Sequence, residues 1–234
     1  MNDNLKNFLV SIIPGKTLSY LYLAQPSQAI KIESLKLVYI PIPKVANRSI
    51  KSCLAHELDM PYVISAHKAK WDLIPIHQLP LEQYYTFAFV RNPLDRLVSC
   101  YNQKFKQGNT NRLFWKYGKI LNPRMSFAEF ASFVVDTPDA LSDRHFKSQH
   151  TFLYHNNHRV TDFIGRFELL DEDWDKLALR FKLPPLPHFN KSSRKEMREY
   201  YDLNLAEKVS SRYKKDIELL GYQENTDQLL NELQ

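Results

Sequence analysis

Residues 84–90, Tyr-Tyr-Thr-Phe-Ala-Phe-Val, are a continuous run of apolar and β-forming side chains, and Arg91-Asn92-Pro93 follows without a spacer. A run with no polar alternation has no face to give to water, so it reads as a strand covered on both sides. Proline near a helix start lacks only an N–H that the first turn leaves unused. Leu94, Leu97, Val98 and Tyr101 then recur at helical spacing. A buried strand passing straight into an amphipathic helix is the building unit of an α/β layer fold.

The same unit occurs upstream. Leu37-Val38-Tyr39-Ile40-Pro41-Ile42 is a short β-rich run, and a helical stretch follows from about Asn47 to Leu58. Pro61–Ser65 reads as a second strand and Asp162–Gly165 as a fourth. Ser126 with Glu129 three residues on is a capping-box pattern. Asp171–Phe181 reads as a helix, broken by Leu183-Pro184-Pro185-Leu186-Pro187. Asp202–Leu220 reads as one amphipathic helix, with Leu205, Val209, Tyr213, Ile217 and Leu220 on a face and Gly221 as its C-cap. The polar tail from Gln223 is expected to fray. The pattern predicts an α/β, three-layer domain with a mainly parallel central sheet flanked by helices. The 234 residues fit a single domain, with residues 1–36 as an N-terminal extension.

Charge narrows the ligand classes. The formal net charge of +6 suits an anionic ligand but lacks the concentrated basic stripe of a nucleic-acid binder, so no nucleic-acid partner is expected. Cys53 and Cys100 lie among apolar neighbours and read as buried free thiols in a reducing compartment. The apolar stretches within Met1–Ala24 are split by Pro14-Gly15-Lys16, and neither reaches the roughly 20 residues that span a bilayer. The reading is a cytoplasmic protein with no integral membrane segment, its apolar start allowing weak contact with a membrane surface.

Two turns carry the chemistry. The strand at 37–42 runs into Pro43-Lys44-Val45-Ala46-Asn47-Arg48-Ser49, which opens a helix. A helix N-terminus with free N–H groups, a lysine in the turn and a hydroxyl at the start make an anion cradle. The glycines and the Lys-Ser/Thr pair of a Walker A loop are absent. The bland alternative is a capped helix with solvated surface lysines. At the second turn, Arg91 closes an apolar strand and must meet water or an anion, and its planar fork of donors suits a phosphate. Ser99 lies two turns into the helix that follows. For Asp95 and Arg96 the bland reading is a helix-surface ion pair.

Pro43–Ser49 resembles the 5′-phosphosulfate loop of sulfotransferases, and Arg91-Asn92-Pro93-Leu94-Asp95-Arg96-Leu97-Val98-Ser99-Cys100-Tyr101 resembles their 3′-phosphate motif. The version here is most similar to carbohydrate sulfotransferases that act on chondroitin, dermatan and related glycans, and to bacterial relatives. Further matches follow in order: Asp143–Gln149, Phe163–Glu168 with Leu170–Asp173, His188–Arg194, and a closing helix from Tyr213 to Tyr222. The resemblance covers about 37–222. It implies 3′-phosphoadenosine 5′-phosphosulfate as donor co-substrate and a glycan or other hydroxyl-bearing acceptor. The donor residues it implies are Lys44, Val45, Ala46, Asn47, Arg48, Ser49, Arg91, Ser99, Asn190, Ser192, Ser193 and Arg194. Asn47-Arg48 departs from the small residues usual in the first loop. The missing anchor and cysteine pairs point to a bacterial-type cytoplasmic enzyme.

Sulfuryl transfer builds charge on the oxygen that bridges sulfur to the departing phosphate, as in the phosphoryl case, so it needs a cation there and a base for the acceptor hydroxyl. Lys44 is the natural cation. His67, just past the strand at 61–65, and His145, in the matched Asp143–Gln149 stretch, are the two candidate bases. No metal is called for, and His150, His155 and His158 read as a polar loop rather than a ligand set. Trp71 and Trp174 read as core anchors; Trp115 is either that or a sugar platform. A kinase with a P-loop-like turn, a non-catalytic donor-binding protein and a nucleic-acid module are the competing readings. The first lacks Walker glycines and a clear magnesium carboxylate. The second does not need the lysine and base that are present. Oligomeric state is left open.

Overall fold

The computed structural model describes residues 27–56, 70–106, 113, 117, 120–187 and 196–234. Its strands and helices in chain order are β1 (Gln28–Ile32), β2 (Leu37–Ile40), α1 (Asn47–His56), β3 (Asp72–Pro75), β4 (Tyr85–Val90) and α2 (Pro93–Tyr101). Then come α3 (Phe127–Val135), α4 (His150–Leu153), β5 (Tyr154–His155), β6 (His158–Arg159), β7 (Phe163–Arg166) and α5 (Leu170–Phe181). The chain closes with α6 (Leu203–Arg212), α7 (Lys214–Leu220) and α8 (Gln223–Glu232).

The main sheet has the order β3-β1-β2-β4-β7. β2, β4 and β7 run parallel, with Ile40 beside Ala88 and Val90 beside Arg166. β1 is antiparallel to both β2 and β3. The α/β class and flanking helices are as expected, with the parallel part confined to the three strands that carry the motifs. The strand expected at 61–65 lies outside the described residues.

The apolar run explains the centre. Phe87 and Phe89 are two apart and share one face of β4. Their rings pack on Trp174 of α5, with centroids 6.4 Å away in both cases, and Phe87 stacks on Tyr39 at 5.0 Å. Gly165 sits opposite Phe89, and a Cβ there would lie 2.4 Å from the ring, so glycine lets Phe89 cross β7. A second aromatic cluster, Tyr101, Phe127, Phe130 and Phe146, joins α2 and α3. Cys53 and Cys100 are both free and buried. The Ser126–Glu129 capping box forms.

Two helix expectations are corrected. The single helix at 202–220 is broken at Tyr213, whose φ of −103° and ψ of 19° leave the helical range. The Tyr213 hydroxyl donates to the Phe146 carbonyl at 2.5 Å, while Arg212 reaches the carbonyls of Val134 and Thr137 and the Asp139 carboxylate. Neighbouring residues are thus held by different partners, which a continuous helix cannot satisfy. The tail does not fray: α8 buries Thr226 and Leu229.

Candidate active site

Parallel strands place their carboxyl ends along one edge, where α/β sheets bind ligands. The segments after β2, β4 and β7 meet there. The turn after β2 has no glycine, yet Lys44 and Ala46 take φ values of 77° and 55°. The left-handed region costs a residue with a Cβ about 1–2 kcal/mol. Such strain persists where the surroundings over-determine it. Here Val45 is fully buried, Arg96 Nε donates to the Pro43 carbonyl at 2.9 Å, and Arg91 Nη1 donates to the Lys44 carbonyl at 3.2 Å. The Ile50 N–H bonds to the Ala46 carbonyl and starts α1.

This turn sorts the expected donor residues. The Val45 side chain belongs to the core, so only its main chain is available to a ligand. Asn47 Oδ1 accepts from the buried Tyr39 hydroxyl, which gives Asn47 a structural tie to β2. Ser49 is buried at the first turn of α1. Arg48 and Ala46 are partly exposed. The Lys44 ammonium donates to Gln103 Oε1 at 3.0 Å. Burial pushes its pKa down to about 8, and the like charges of Arg91, Lys104 and Arg96 add to the push against an opposing effect of Cys100. An anion beside it would favour its charged form and offset that cost.

Arg91 meets an anion inside the protein rather than only in a ligand. Its Nε and Nη2 lie 2.7 and 2.6 Å from Asp95 Oδ2, and its guanidinium lies 4.0 Å from the centroid of the Phe167 ring. The surface pair expected between Asp95 and Arg96 is therefore not what forms. Asp95 pairs with Arg91, and Arg96 is buried at 1% exposure. Arg96 instead donates to the carbonyls of Pro43, Lys147 and Arg144 at 2.9, 2.8 and 3.0 Å. It ties the Lys44 turn to the 143–149 segment. Replacing Arg96 by Met keeps the stem and strands three carbonyls. Such a change costs about 3–5 kcal/mol, and the thermal midpoint is expected to fall by about 10 °C in differential scanning calorimetry.

The backbone at Arg91 and Asn92 is gripped from two sides. Gln149 accepts from the Arg91 N–H at 3.0 Å and donates to its carbonyl at 2.7 Å. Glu168 accepts from the Asn92 N–H at 2.7 Å and from the Tyr222 hydroxyl at 2.9 Å. Behind Gln149, the fully buried Asp216 accepts from the N–H groups of Gln149 and His150 at 2.6 and 2.8 Å. The Asn92 side chain caps α2. Gln149 and Glu168 lie in the motif stretches already singled out, but their grip on Arg91 and Asn92 has no local sequence signal. Ser99 is on α2, partly exposed.

His145 is held by Asp143, whose Oδ1 lies 2.5 Å from His145 Nδ1 and accepts from its main-chain N–H at 3.0 Å. A carboxylate at Nδ1 keeps the proton there and leaves Nε2 as the basic nitrogen. Burial lowers the pKa of His145, while Asp143 pulls it up and Lys104 and Arg144 push it down. Arg96 bonds both Pro43 and Arg144, so His145 sits one residue from a direct link to the Lys44 turn. His67 and the nucleotide-loop residues Asn190, Ser192, Ser193 and Arg194 lie outside the described residues, as do His188 and Trp115. His155 and His158 face each other across the β5–β6 hairpin, and His150 pairs with Asp216 at 2.7 Å. No group of three metal-ligating side chains occurs among the described residues.

The profile of the Sulfotransferase family matches residues 28–223, most of the chain. The chain belongs to the sulfotransferase family. Among curated proteins it is similar to carbohydrate sulfotransferase 11 of Rattus norvegicus, 26% identical over 60% of this chain and 49% of the relative. It is also similar to carbohydrate sulfotransferase 14 of Homo sapiens, 27% identical over 66% of this chain and 46% of the relative. Carbohydrate sulfotransferase 12 of Mus musculus is 25% identical over 62% of this chain and 42% of the relative. The chain thus spans about half the length of these relatives. They are vertebrate proteins and lend no support to the bacterial-type affinity expected above. No solved structure matches. Among the described residues no helix is long and apolar enough to cross a membrane.

Proposed function

We propose that the chain transfers a sulfuryl group from 3′-phosphoadenosine 5′-phosphosulfate to a hydroxyl of a carbohydrate acceptor. The observation that carries this reading is the direct link between the two motifs: Arg91 Nη1 bonds the Lys44 carbonyl at 3.2 Å across neighbouring parallel strands. One nucleotide with phosphates at both ends suits a site with a cation at each end. In this reading the N-terminus of α1 with Ser49 receives the 5′ end, and Arg91 with Ser99 the 3′-phosphate. Asn190, Ser192, Ser193 and Arg194 complete the nucleotide loop.

The acceptor oxygen attacks sulfur in line, forming one S–O bond as the bond to the bridging oxygen of the 5′-phosphate breaks. Lys44 stabilises the charge on that oxygen. The acceptor proton passes to a histidine, and the products are a sulfate ester and 3′-phosphoadenosine 5′-phosphate. His145 has the geometry for this role, with Nδ1 committed to Asp143 and Nε2 basic; His67 is the other candidate. The similarity to carbohydrate sulfotransferases supports a glycan acceptor.

The test is transfer of radiolabelled sulfate from the donor to a panel of uronate-containing and neutral polysaccharides, with labelled ATP in parallel. Label from the sulfate donor is expected in polysaccharide. Phosphoryl transfer from ATP alone contradicts the proposal. With an active acceptor, His145→Ala and His67→Ala identify the base: loss of about 100-fold or more marks it.

A further inference from the structure

The last turn of α2 does not end as an α-helix. It widens into a π-turn, Asn102–Lys106. A π-turn inserts one residue, so the side chains that follow point in directions an α-helix would not give them. Asn102 Oδ1 accepts from the Tyr200 hydroxyl at 3.0 Å, which anchors the turn to the segment after the nucleotide loop. The next residue, Gln103, faces the Lys44 ammonium, 59 positions away in sequence.

Lysine has a long, flexible stem, and this one is surrounded by like charge. Burial disfavours its charge, Arg91, Lys104 and Arg96 all repel it, and Cys100 acts the other way. Without an acceptor the ammonium would swing away from them. Gln103 supplies that acceptor at 3.0 Å without supplying a negative charge. A glutamate there would hold the ammonium more tightly, but it would cancel the positive potential and repel an anionic donor.

We infer that Gln103 is a positioning residue for Lys44, holding its ammonium at the mouth of the site as a neutral partner that an incoming phosphosulfate can displace. The inference rests on the sulfuryl-transfer reading of Lys44 and adds to it the residue that aims the lysine.

The test uses the full chain without donor. Lys44 is labelled with acetic anhydride across a pH series, and the modified peptide is quantified by mass spectrometry. Half-maximal reactivity of the wild type is expected near the pKa of about 8. Gln103→Leu removes the acceptor and is expected to move the midpoint down; Gln103→Glu is expected to move it up by about one pH unit or more. Opposite shifts cannot come from unfolding, which would send both variants toward the ordinary lysine value. Calorimetry with 3′-phosphoadenosine 5′-phosphate adds a second readout: Gln103→Glu is expected to weaken binding about tenfold, and Gln103→Leu far less. Unshifted labelling in both variants overturns the inference. Shifted labelling in a protein whose wild type fails to bind the bisphosphate instead overturns the donor reading and leaves the Gln103–Lys44 contact standing.

Discussion

Lys44→Met is expected to abolish turnover while making the protein more stable. In the proposed reaction the ammonium meets charge on the departing phosphate, and removing such a stabiliser costs about 100- to 1,000-fold in kcat. The same ammonium is buried among three cations, with a pKa lowered to about 8. Folding therefore disfavours its charged form. The sign follows: a lysine whose folded pKa lies below its unfolded value destabilises the folded state at pH below 8. That cost is relieved as pH rises from about 8 toward the ordinary lysine value. Methionine keeps the stem and removes the cost. At pH 7 the Met variant is expected to melt higher than wild type by a few degrees. Wild type is expected to regain the difference between pH 8 and 10. A variant that loses both activity and stability would mean that Lys44 is mainly structural.

Arg91→Ala is expected to weaken binding of 3′-phosphoadenosine 5′-phosphate by about 100-fold, measured by calorimetry. Arg91 presents a planar guanidinium already held in place by Asp95 Oδ2 at 2.6 and 2.7 Å and by the ring of Phe167 at 4.0 Å. Pre-organisation of this kind is what a buried phosphate contact needs. Part of the loss will come from Asp95, which keeps its charge near the site after the guanidinium is gone. The double variant Arg91→Ala, Asp95→Asn separates the two, because coupled neighbours do not add. Partial recovery of affinity in the double variant is expected. Arg91→Lys keeps the charge but not the fork and is expected to recover little. If Arg91→Ala binds the bisphosphate as wild type does, Arg91 does not contact the 3′-phosphate.

What could be read from the sequence was what local chemistry determines. The Tyr84–Val90 run announced an interior strand because it is short, rich in β-forming side chains and has no polar alternation. Ser126 and Glu129 announced a helix start because a capping box closes within four residues. The Lys44 turn and the Arg91 motif were legible as residue types in order. Their meeting was not, since it depends on β2 lying beside β4. The strands β1 and β3 were missed: they form the antiparallel side of the sheet, where short segments are held by register rather than by a long apolar run. The break at Tyr213 was invisible because the apolar spacing continues through it, and the interruption is imposed by Phe146 and Asp139. In the tail, Thr226, Leu229, Leu230 and Leu233 held a helical spacing that polar composition concealed.

The site followed the same division. Lys44 and Arg91 were found because they sit in turns that follow strong strands. Gln149 and Glu168 grip the Arg91–Asn92 backbone from distant segments, with Asp216 holding the Gln149 N–H from behind, and nothing local marks them for that task. Arg96 looked like a surface charge because it stands one place from Asp95. Its burial follows from packing α2 against the 143–149 segment, which turns the guanidinium toward three carbonyls.

The central claim is that one nucleotide with a phosphate at each end bridges Lys44 and Arg91. Titration calorimetry of the wild-type chain with 3′-phosphoadenosine 5′-phosphate, adenosine 5′-phosphosulfate and ATP tests it most directly. The bisphosphate is expected to bind tightly. The compound lacking the 3′-phosphate and ATP are each expected to bind at least about 100-fold more weakly, the loss of one buried charged contact. Equal affinity for the three ligands would contradict the account.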